Sequence, residues 1–322
     1  MQYTTLGRSD LRVSRIAFGT WQLGGDWGPL DEVAAVAAIR QAVDEGITLF
    51  DTAHAYGFGE SERLLARALK GRAREDLVIA TKGGIRPVEG GVARDSSPAW
   101  IRHDLEASLG ALGTEVIDLY QVHWPDPRTP FEDTAAVLAG FVAEGKIRHV
   151  GVSNFDVEQM TRFGSVLPVE TLQPAYSMFR RDIEADVLPY TETNGIGVLA
   201  YGPLAHGLLG GHLRASTAFD PHDWRHASPV FQGATFRRNL ETVAALESYA
   251  QQEFGASVSR LAVAWTLACP GIDVAIVGTR NPTHVEDAVR AAALQLDDDA
   301  LARIDTIMYE AVPLSGPTPE GG

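Results

Sequence analysis

The chain has 322 residues, 45% of them hydrophobic and 32 of them glycine, a composition ordinary for a folded soluble protein. That length accommodates one large α/β domain or two small ones. Against 42 acidic residues stand 27 basic ones, and the formal charge of −15 disfavours general nucleic-acid or anionic-membrane binding, leaving room only for a local basic pocket. No apolar run approaches the ~20 residues of a membrane span, and residues 1–8 lack the basic and apolar regions of a signal peptide. The single cysteine, Cys269, excludes an intramolecular disulfide and suits a reducing compartment, so a cytoplasmic protein is expected. Following the apolar run 261–268, Cys269 reads as a small buried hydrophobe and not as a nucleophile.

In chain order, residues 2–5 and 11–13 flank Gly7-Arg8-Ser9-Asp10 and read as a β-hairpin ahead of the main fold. A repeating beat follows. A strand at 16–19 precedes a helix over 31–45 with Asp31 as N-cap, and Gly46 ends that helix before the strand 47–50. A helix over 60–69, closed by Gly71, leads to the strand 77–81, and Ser97-Pro98 opens a helix running to 109. Then come strand 116–122 and helix 132–144, strand 147–152 and helix 156–163, strand 169–173 and helix 186–194. Strand 196–200 is followed by helices at 240–254 and 259–268, and strand 274–277 by helices at 282–293 and 297–309.

Eight strand-then-helix units, with strands apolar enough to be covered on both faces, match a (β/α)8 TIM barrel in one domain over 1–322. The alternative, a doubly wound sheet, calls for Gly-x-Gly-x-x-Gly after the first strand, and neither Gly24-Gly25 nor Gly83-Gly84 supplies it. Within the barrel chain, 1–14 is the N-terminal hairpin, and 312–322, rich in Pro and Gly, is expected to be loosely held. The connection 201–239 breaks the beat. Connections of that length are lids, binding loops or disordered segments, and Phe219, Trp224, Phe231 and Phe236 favour one that packs.

In a barrel the C-terminal ends of all strands meet at one mouth. There the sequence places Trp21 after the first strand, Asp51 and Tyr56 after the second, Lys82 after the third and His123-Trp124 after the fourth. Ser153-Asn154, Gln173, Tyr201 and Gly278-Thr279-Arg280 follow the remaining four. No His, Asp or Glu pair has ligand spacing on one element, so no metal site is expected. His54, His103 and His149 read as structural or solvated.

From about Tyr3 to Tyr309 the chain closely resembles the aldo-keto reductases, most of all the bacterial branch with broad aldehyde and ketone substrates. The carriers are Phe50-Asp51-Thr52-Ala53-His54-Ala55-Tyr56-Gly57, Thr81-Lys82, Val122-His123-Trp124 and the run Lys146 to Phe155. Gln173-Pro174-Ala175-Tyr176, Tyr201-Gly202-Pro203-Leu204 and Val277-Gly278-Thr279-Arg280-Asn281-Pro282 complete them. The resemblance implies NADPH-dependent reduction of carbonyls, with NADH possible, by a tetrad of Asp51, Tyr56, Lys82 and His123. Tyr56 would donate the proton. Its phenol, with an ordinary pKa of about 10, would be made a better acid by the Lys82 ammonium, which Asp51 holds in place. His123 would donate a hydrogen bond to the carbonyl oxygen.

The same resemblance assigns Ser153, Asn154 and Gln173 to the nicotinamide carboxamide and Tyr201 to stacking on the ring. Gly202, Pro203, Leu204 and Gly207 would line the pyrophosphate, making 201–239 a cofactor and lid loop. Gly278, Thr279, Arg280, His284 and Asp287 would serve the adenosine end, with Arg280 on the 2′-phosphate. His284 and Ala288 depart from the branch's common residues there. Trp21, Phe58 and Trp124 are expected to form an apolar substrate rim. The partner is then a small carbonyl compound, with no nucleic acid or membrane partner; the oligomeric state is not legible. Two alternatives stay open: a sugar or alcohol dehydrogenase running in oxidation, and a cofactor-sensing regulatory subunit of the potassium-channel β type.

Overall fold

The computed structural model describes residues 1–314. Strands β1 (Tyr3–Thr5) and β2 (Arg12–Ser14) pair antiparallel as the expected hairpin. The next elements are β3 (Ile16–Gly19), α1 (Glu32–Asp44), β4 (Leu49–Asp51), α2 (Glu60–Leu69) and β5 (Val78–Gly83). A second hairpin, β6 (Ile85–Val88) and β7 (Gly91–Arg94), then intervenes before α3 (Pro98–Leu112). The beat resumes with β8 (Ile117–Val122), α4 (Phe131–Ala143), β9 (Ile147–Ser153), α5 (Val157–Gly164), β10 (Thr171–Gln173) and α6 (Val187–Asn194). Last come β11 (Gly197–Tyr201), α7 (Gly233–Phe254), α8 (Val258–Ala268), β12 (Val274–Gly278), α9 (Thr283–Ala291) and α10 (Asp298–Met308).

Eight of the strands close into one parallel barrel in the order β3-β4-β5-β8-β9-β10-β11-β12, with β12 returning to β3 through Ala275↔Ile16 to Gly278↔Gly19. The helix signals act as read. Asp31 accepts from the backbone N–H groups of Val33 and Ala34, Ser97 caps α3, and Gly46 takes the left-handed φ of 85° that ends the first helix unit.

Alternation along the strands creates the site. Phe50, Ile79 and Tyr120 point outward into the core shared with the helices. Leu49, Ala80, Leu119, Leu199 and Val274 point inward and fill the barrel with Leu6, Leu11 and Val13 of the N-terminal hairpin. That hairpin plugs the lower end so closely that a Cβ on Gly7 would stand 2.3 Å from the Gly197 nitrogen. Two residues further along the same strands, inward positions carry Asp51, Lys82 and Gln121. One turn of the period-2 pattern thus converts an apolar layer into a polar one at the open end.

Two expectations change here. Helix α7 starts at Gly233, well before 240, and the connection ahead of it contains short 3-10 turns at Ala205–Gly210, Trp224–His226 and Pro229–Phe231. The expected loose tail is docked at its start: the Val312 N–H donates to Asn239 Oδ1 at 2.9 Å, and the Leu314 N–H to the Phe179 carbonyl at 2.8 Å. Residues 315–322 of that tail lie outside the described residues. Among the described residues, no helix is long and apolar enough to cross a membrane.

Candidate active site

The barrel's open end holds a cavity of about 550 Å³ that runs from Asp51, Tyr56 and His123 to Thr279, Arg280 and His284. At its floor Lys82 Nζ stands 2.6 Å from Asp51 Oδ1 and donates to the Thr52 carbonyl at 2.9 Å and to Tyr56 Oη at 3.4 Å. Lys82 is 1% exposed and Asp51 3%, so this ion pair is desolvated. Removing one partner of such a pair strands the other charge, which typically costs 3–5 kcal/mol. The other Asp51 oxygen accepts from Gln173 Nε2 at 2.7 Å and faces Gln121 Nε2 at 3.5 Å. Because an ionised carboxylate only accepts, both glutamines present their amide nitrogens to it.

His123 stands edge-on to Tyr56, with ring centroids 5.6 Å apart. Burial, reinforced by the Lys82 charge, holds its imidazole well below the ordinary range, so the ring is neutral at physiological pH. Its Nδ1 is buried without a hydrogen-bond partner. An unpaired buried acceptor is better tolerated than an unpaired N–H, which places the proton on Nε2.

Along one wall Ser153 Oγ donates to the Gln173 carbonyl at 2.8 Å, Asn154 Nδ2 to the His123 carbonyl at 3.2 Å, and Tyr201 Oη to Asn154 Oδ1 at 2.9 Å. Asn154 adopts a left-handed φ of 61°, a conformation Asn tolerates better than most residues. Gly202, Pro203, Leu204 and Gly207 continue the lining. At the far end Gly278 approaches Gln22 so closely that a Cβ would lie 2.0 Å from Gln22 Oε1. Arg280 Nη1 reaches across to the Pro29 carbonyl at 2.9 Å, and Thr279 Oγ1 lies 3.4 Å from His284 Nδ1. Asp287 lines the cavity, but its carboxylate is engaged by Ser257, Ser259 and Arg260.

Of the expected apolar rim, Trp21 lines the cavity, whereas Phe58 and Trp124 are not among its lining residues. Phe58 turns its ring edge-on to His54, and Trp124 lies under the Arg94 guanidinium, 4.7 Å from its ring centroid. Strand-end position fixed where these residues start, not where they point. The cavity takes in Trp27, His206 and Arg225 instead, which sequence reasoning passed over. Gln121 also went unnoticed, although it shares the inward register of Leu119 in an otherwise apolar strand.

Behind β5, on its outward face, lies a second polar cluster. Glu62 and Asp104 are both fully buried. Thr81 Oγ1 donates to Glu62 Oε1 at 2.6 Å, while His54 Nδ1 is 3.4 Å from Glu62 Oε2. Asp104 Oδ2 accepts the Gly84 N–H at 2.8 Å. Burial raises the Asp104 carboxyl to about 6, against the opposing Gly84 hydrogen bond and His54 and His103 charges. Cys269, expected to be buried, is only partly so and ends α8. Among the described residues no cluster of three His, Cys, Asp or Glu side chains could hold a metal ion.

The aldo/keto reductase family profile matches residues 15–308. The chain belongs to the aldo/keto reductase family. It is 42% identical to the aldo-keto reductase YhdN of Bacillus subtilis over 97% of this chain and 95% of that one. To the NADH-specific methylglyoxal reductase of Escherichia coli it is 34% identical, over 92% and 95% of the two chains. Among solved structures, a glycerol dehydrogenase from Gluconobacter oxydans superposes with a TM-score of 0.88 at 40% identity, covering 98% of each chain. The holo form of an aldo-keto reductase from Bacillus halodurans gives 0.79 at 28% identity, covering 97% of this chain and 98% of that one. This oxidoreductase is therefore a closed eight-stranded barrel of the same family as a methylglyoxal reductase and a glycerol dehydrogenase.

Proposed function

We propose that this aldo-keto reductase reduces small aldehydes and ketones to alcohols with hydride from NADPH, Tyr56 donating the proton. The observation that carries this reading is the convergence of Asp51, Tyr56 and His123 on one end of the cavity, with Lys82 Nζ buried behind them, 3.4 Å from the phenol oxygen and 2.6 Å from Asp51. The lining suits a nicotinamide cofactor chemically. Amide and hydroxyl groups of Ser153, Asn154 and Gln173 gather at the tetrad end, a glycine-rich turn follows at 202–211, and a guanidinium, Arg280, stands at the far end.

Bound there, the cofactor supplies a hydride to the carbonyl carbon. The protein's residues handle the oxygen. His123, neutral and protonated on Nε2, donates a hydrogen bond that orients and polarises the carbonyl. Tyr56 gives up its phenolic proton as negative charge develops on the substrate oxygen, and the adjacent Lys82 ammonium stabilises the phenolate left behind. Asp51 keeps Lys82 charged and aimed, and Gln173 and Gln121 keep Asp51 from turning away. Asn154 and Ser153 would hold the carboxamide, Tyr201 would stack on the ring, and Arg280 with Thr279 would take the 2′-phosphate, which favours NADPH over NADH. The deciding assay is oxidation of NADPH and of NADH, followed at 340 nm, over a panel of aldehydes and ketones. Tight cofactor binding without turnover of any carbonyl would sink the proposal.

A second reading has support in the similarity to a glycerol dehydrogenase. By microscopic reversibility the same phenolate accepts a proton from an alcohol when NADP+ is bound. Faster NADP+ reduction by a small polyol than NADPH oxidation by the matching carbonyl, at neutral pH, would establish it.

A further inference from the structure

Above the cavity lies a roof made of three chain segments: the turn after β3, the turn 205–207, and the connection leading to α7. Trp27 forms an isolated antiparallel bridge with Asp223, and the Trp224 N–H donates to the Asp26 carbonyl at 3.0 Å. A single side chain touches all three segments. The Arg225 guanidinium lies 4.6 Å from the Trp27 ring centroid and 4.5 Å from that of Phe219. It forks onto Asp223 through Nε at 3.0 Å and Nη2 at 2.6 Å, while Nη1 donates to the His206 carbonyl at 3.2 Å. Only 12% of the Arg225 side chain and 6% of the Asp223 side chain are exposed, so solvent screens this pair weakly.

The His206 carbonyl belongs to a strained turn. Ala205, His206 and Gly207 have φ values of 48°, 56° and 95°, three left-handed residues in a row, two of them carrying a Cβ. Such conformations persist only where the surroundings impose them. Arg225 supplies that imposition from above, and a Cβ on Gly207 would stand 3.0 Å from Arg225 Nη1. The His206 ring itself stands edge-on to both Trp21 and Trp224, at 5.8 and 5.1 Å.

We propose that Arg225 is a positioning residue that locks the 205–207 turn against Trp27 and thereby sets how tightly, and for how long, the nicotinamide cofactor is held. The inference rests on the cofactor reading above. It calls for arginine specifically. A lysine keeps the charge but loses both the planar fork on Asp223 and the flat face between Trp27 and Phe219.

The test uses the full chain, with NADPH as the probe and quenching of protein tryptophan fluorescence as the readout. Equilibrium titration and rapid displacement give Kd and release rate, and single-turnover reduction at saturating NADPH gives the hydride-transfer rate. Arg225→Lys is expected to raise Kd by about tenfold or more, chiefly through faster release, since a desolvated guanidinium loses its stacking and its fork together. Hydride transfer should stay within about twofold, since Arg225 makes no contact with the tetrad. Asp223→Asn, which leaves Arg225 in place but weakens its fork, should shift Kd the same way and guards against misfolding of the first variant. Unchanged Kd and release rate in both variants would overturn the proposal, as would a loss confined to hydride transfer. Failure of the unmodified protein to bind either NADPH or NADH would refute the cofactor reading itself, a separately visible outcome.

Discussion

Asp104 offers a prediction whose size follows from its surroundings. The carboxyl is fully buried on α3 behind β5, holds one hydrogen bond from the Gly84 N–H, and turns its other oxygen toward His103 Nδ1, 3.6 Å away. Burial raises it from 3.8 to about 6. An acid whose folded-state pKa exceeds its unfolded value binds more protons when folded, so its contribution to stability falls as pH rises through that interval. For this shift the penalty approaches roughly 3 kcal/mol above pH 7, against roughly 1 kcal/mol near pH 4.5. His54 adds a same-signed term in a higher window. Its pKa is also raised, as Glu62 and Asp104 outweigh the lowering by burial, so protonation of His54 favours the fold below its folded pKa. Asp104→Asn removes the titrating carboxyl and keeps an oxygen for the Gly84 N–H. Urea unfolding of both proteins at pH 4.5, 6 and 8 should show the variant gaining on the parent by roughly 2 kcal/mol between the extremes. A difference that does not vary with pH, or that shrinks toward pH 8, would refute the assignment of a buried, high-pKa carboxyl at this position.

Three further outcomes follow from the geometry. Tyr56→Phe should lower kcat for carbonyl reduction by at least about a hundredfold while leaving the fluorescence-derived NADPH Kd within about twofold, and a retained kcat would remove the proton-donor role. Arg280→Ala should raise KM for NADPH far more than KM for NADH, because only NADPH carries the 2′-phosphate; equal effects would remove that assignment. Gly83→Ala would set its Cβ 2.0 Å from Tyr120 Oη, an oxygen that is buried and unpartnered. The substitution should destabilise by about 1–3 kcal/mol, Tyr120→Phe alone should be close to neutral, and the double variant should recover most of the loss in denaturant melts.

The barrel was legible because the chain repeats one unit eight times with helix caps and terminal glycines at the joints, signals that depend on neighbours in sequence alone. Asp51 and Lys82 were legible for a related reason. A strand's inward register and its C-terminal end can both be counted, and Asp51 and Lys82 fall where Leu49 and Ala80 predict a shared face. What escaped depends on contacts between distant segments. The hairpin β6–β7 is eight residues of weak alternation interrupted by Pro87 and Gly90, with no hydrophobic face to announce it. The start of α7, Gly-Ala-Thr-Phe-Arg-Arg-Asn, lacks the apolar period that marks the rest of that helix. Arg225 was passed over because its role rests on Asp223, Trp27 and Phe219, which close around it only in the fold. Phe58 and Trp124 were placed on the right loops, but the direction of a side chain in a loop is set by its partners, here His54 and Arg94.

The pairing of β12 with β3 has a consequence for how the protein is made. Residues 16–19 wait for residues 275–278 before the barrel can close, and the Arg15 side chain likewise donates to the carbonyls of Leu267, Ile272 and Asp273. A ribosome must therefore release almost the whole chain before β3 acquires its second neighbour. Until then the nascent barrel presents two parallel strand edges with unpaired backbone groups, and contacts of such long sequence separation form late. Truncation ahead of β12 should accordingly yield not a smaller working enzyme but an open sheet prone to association.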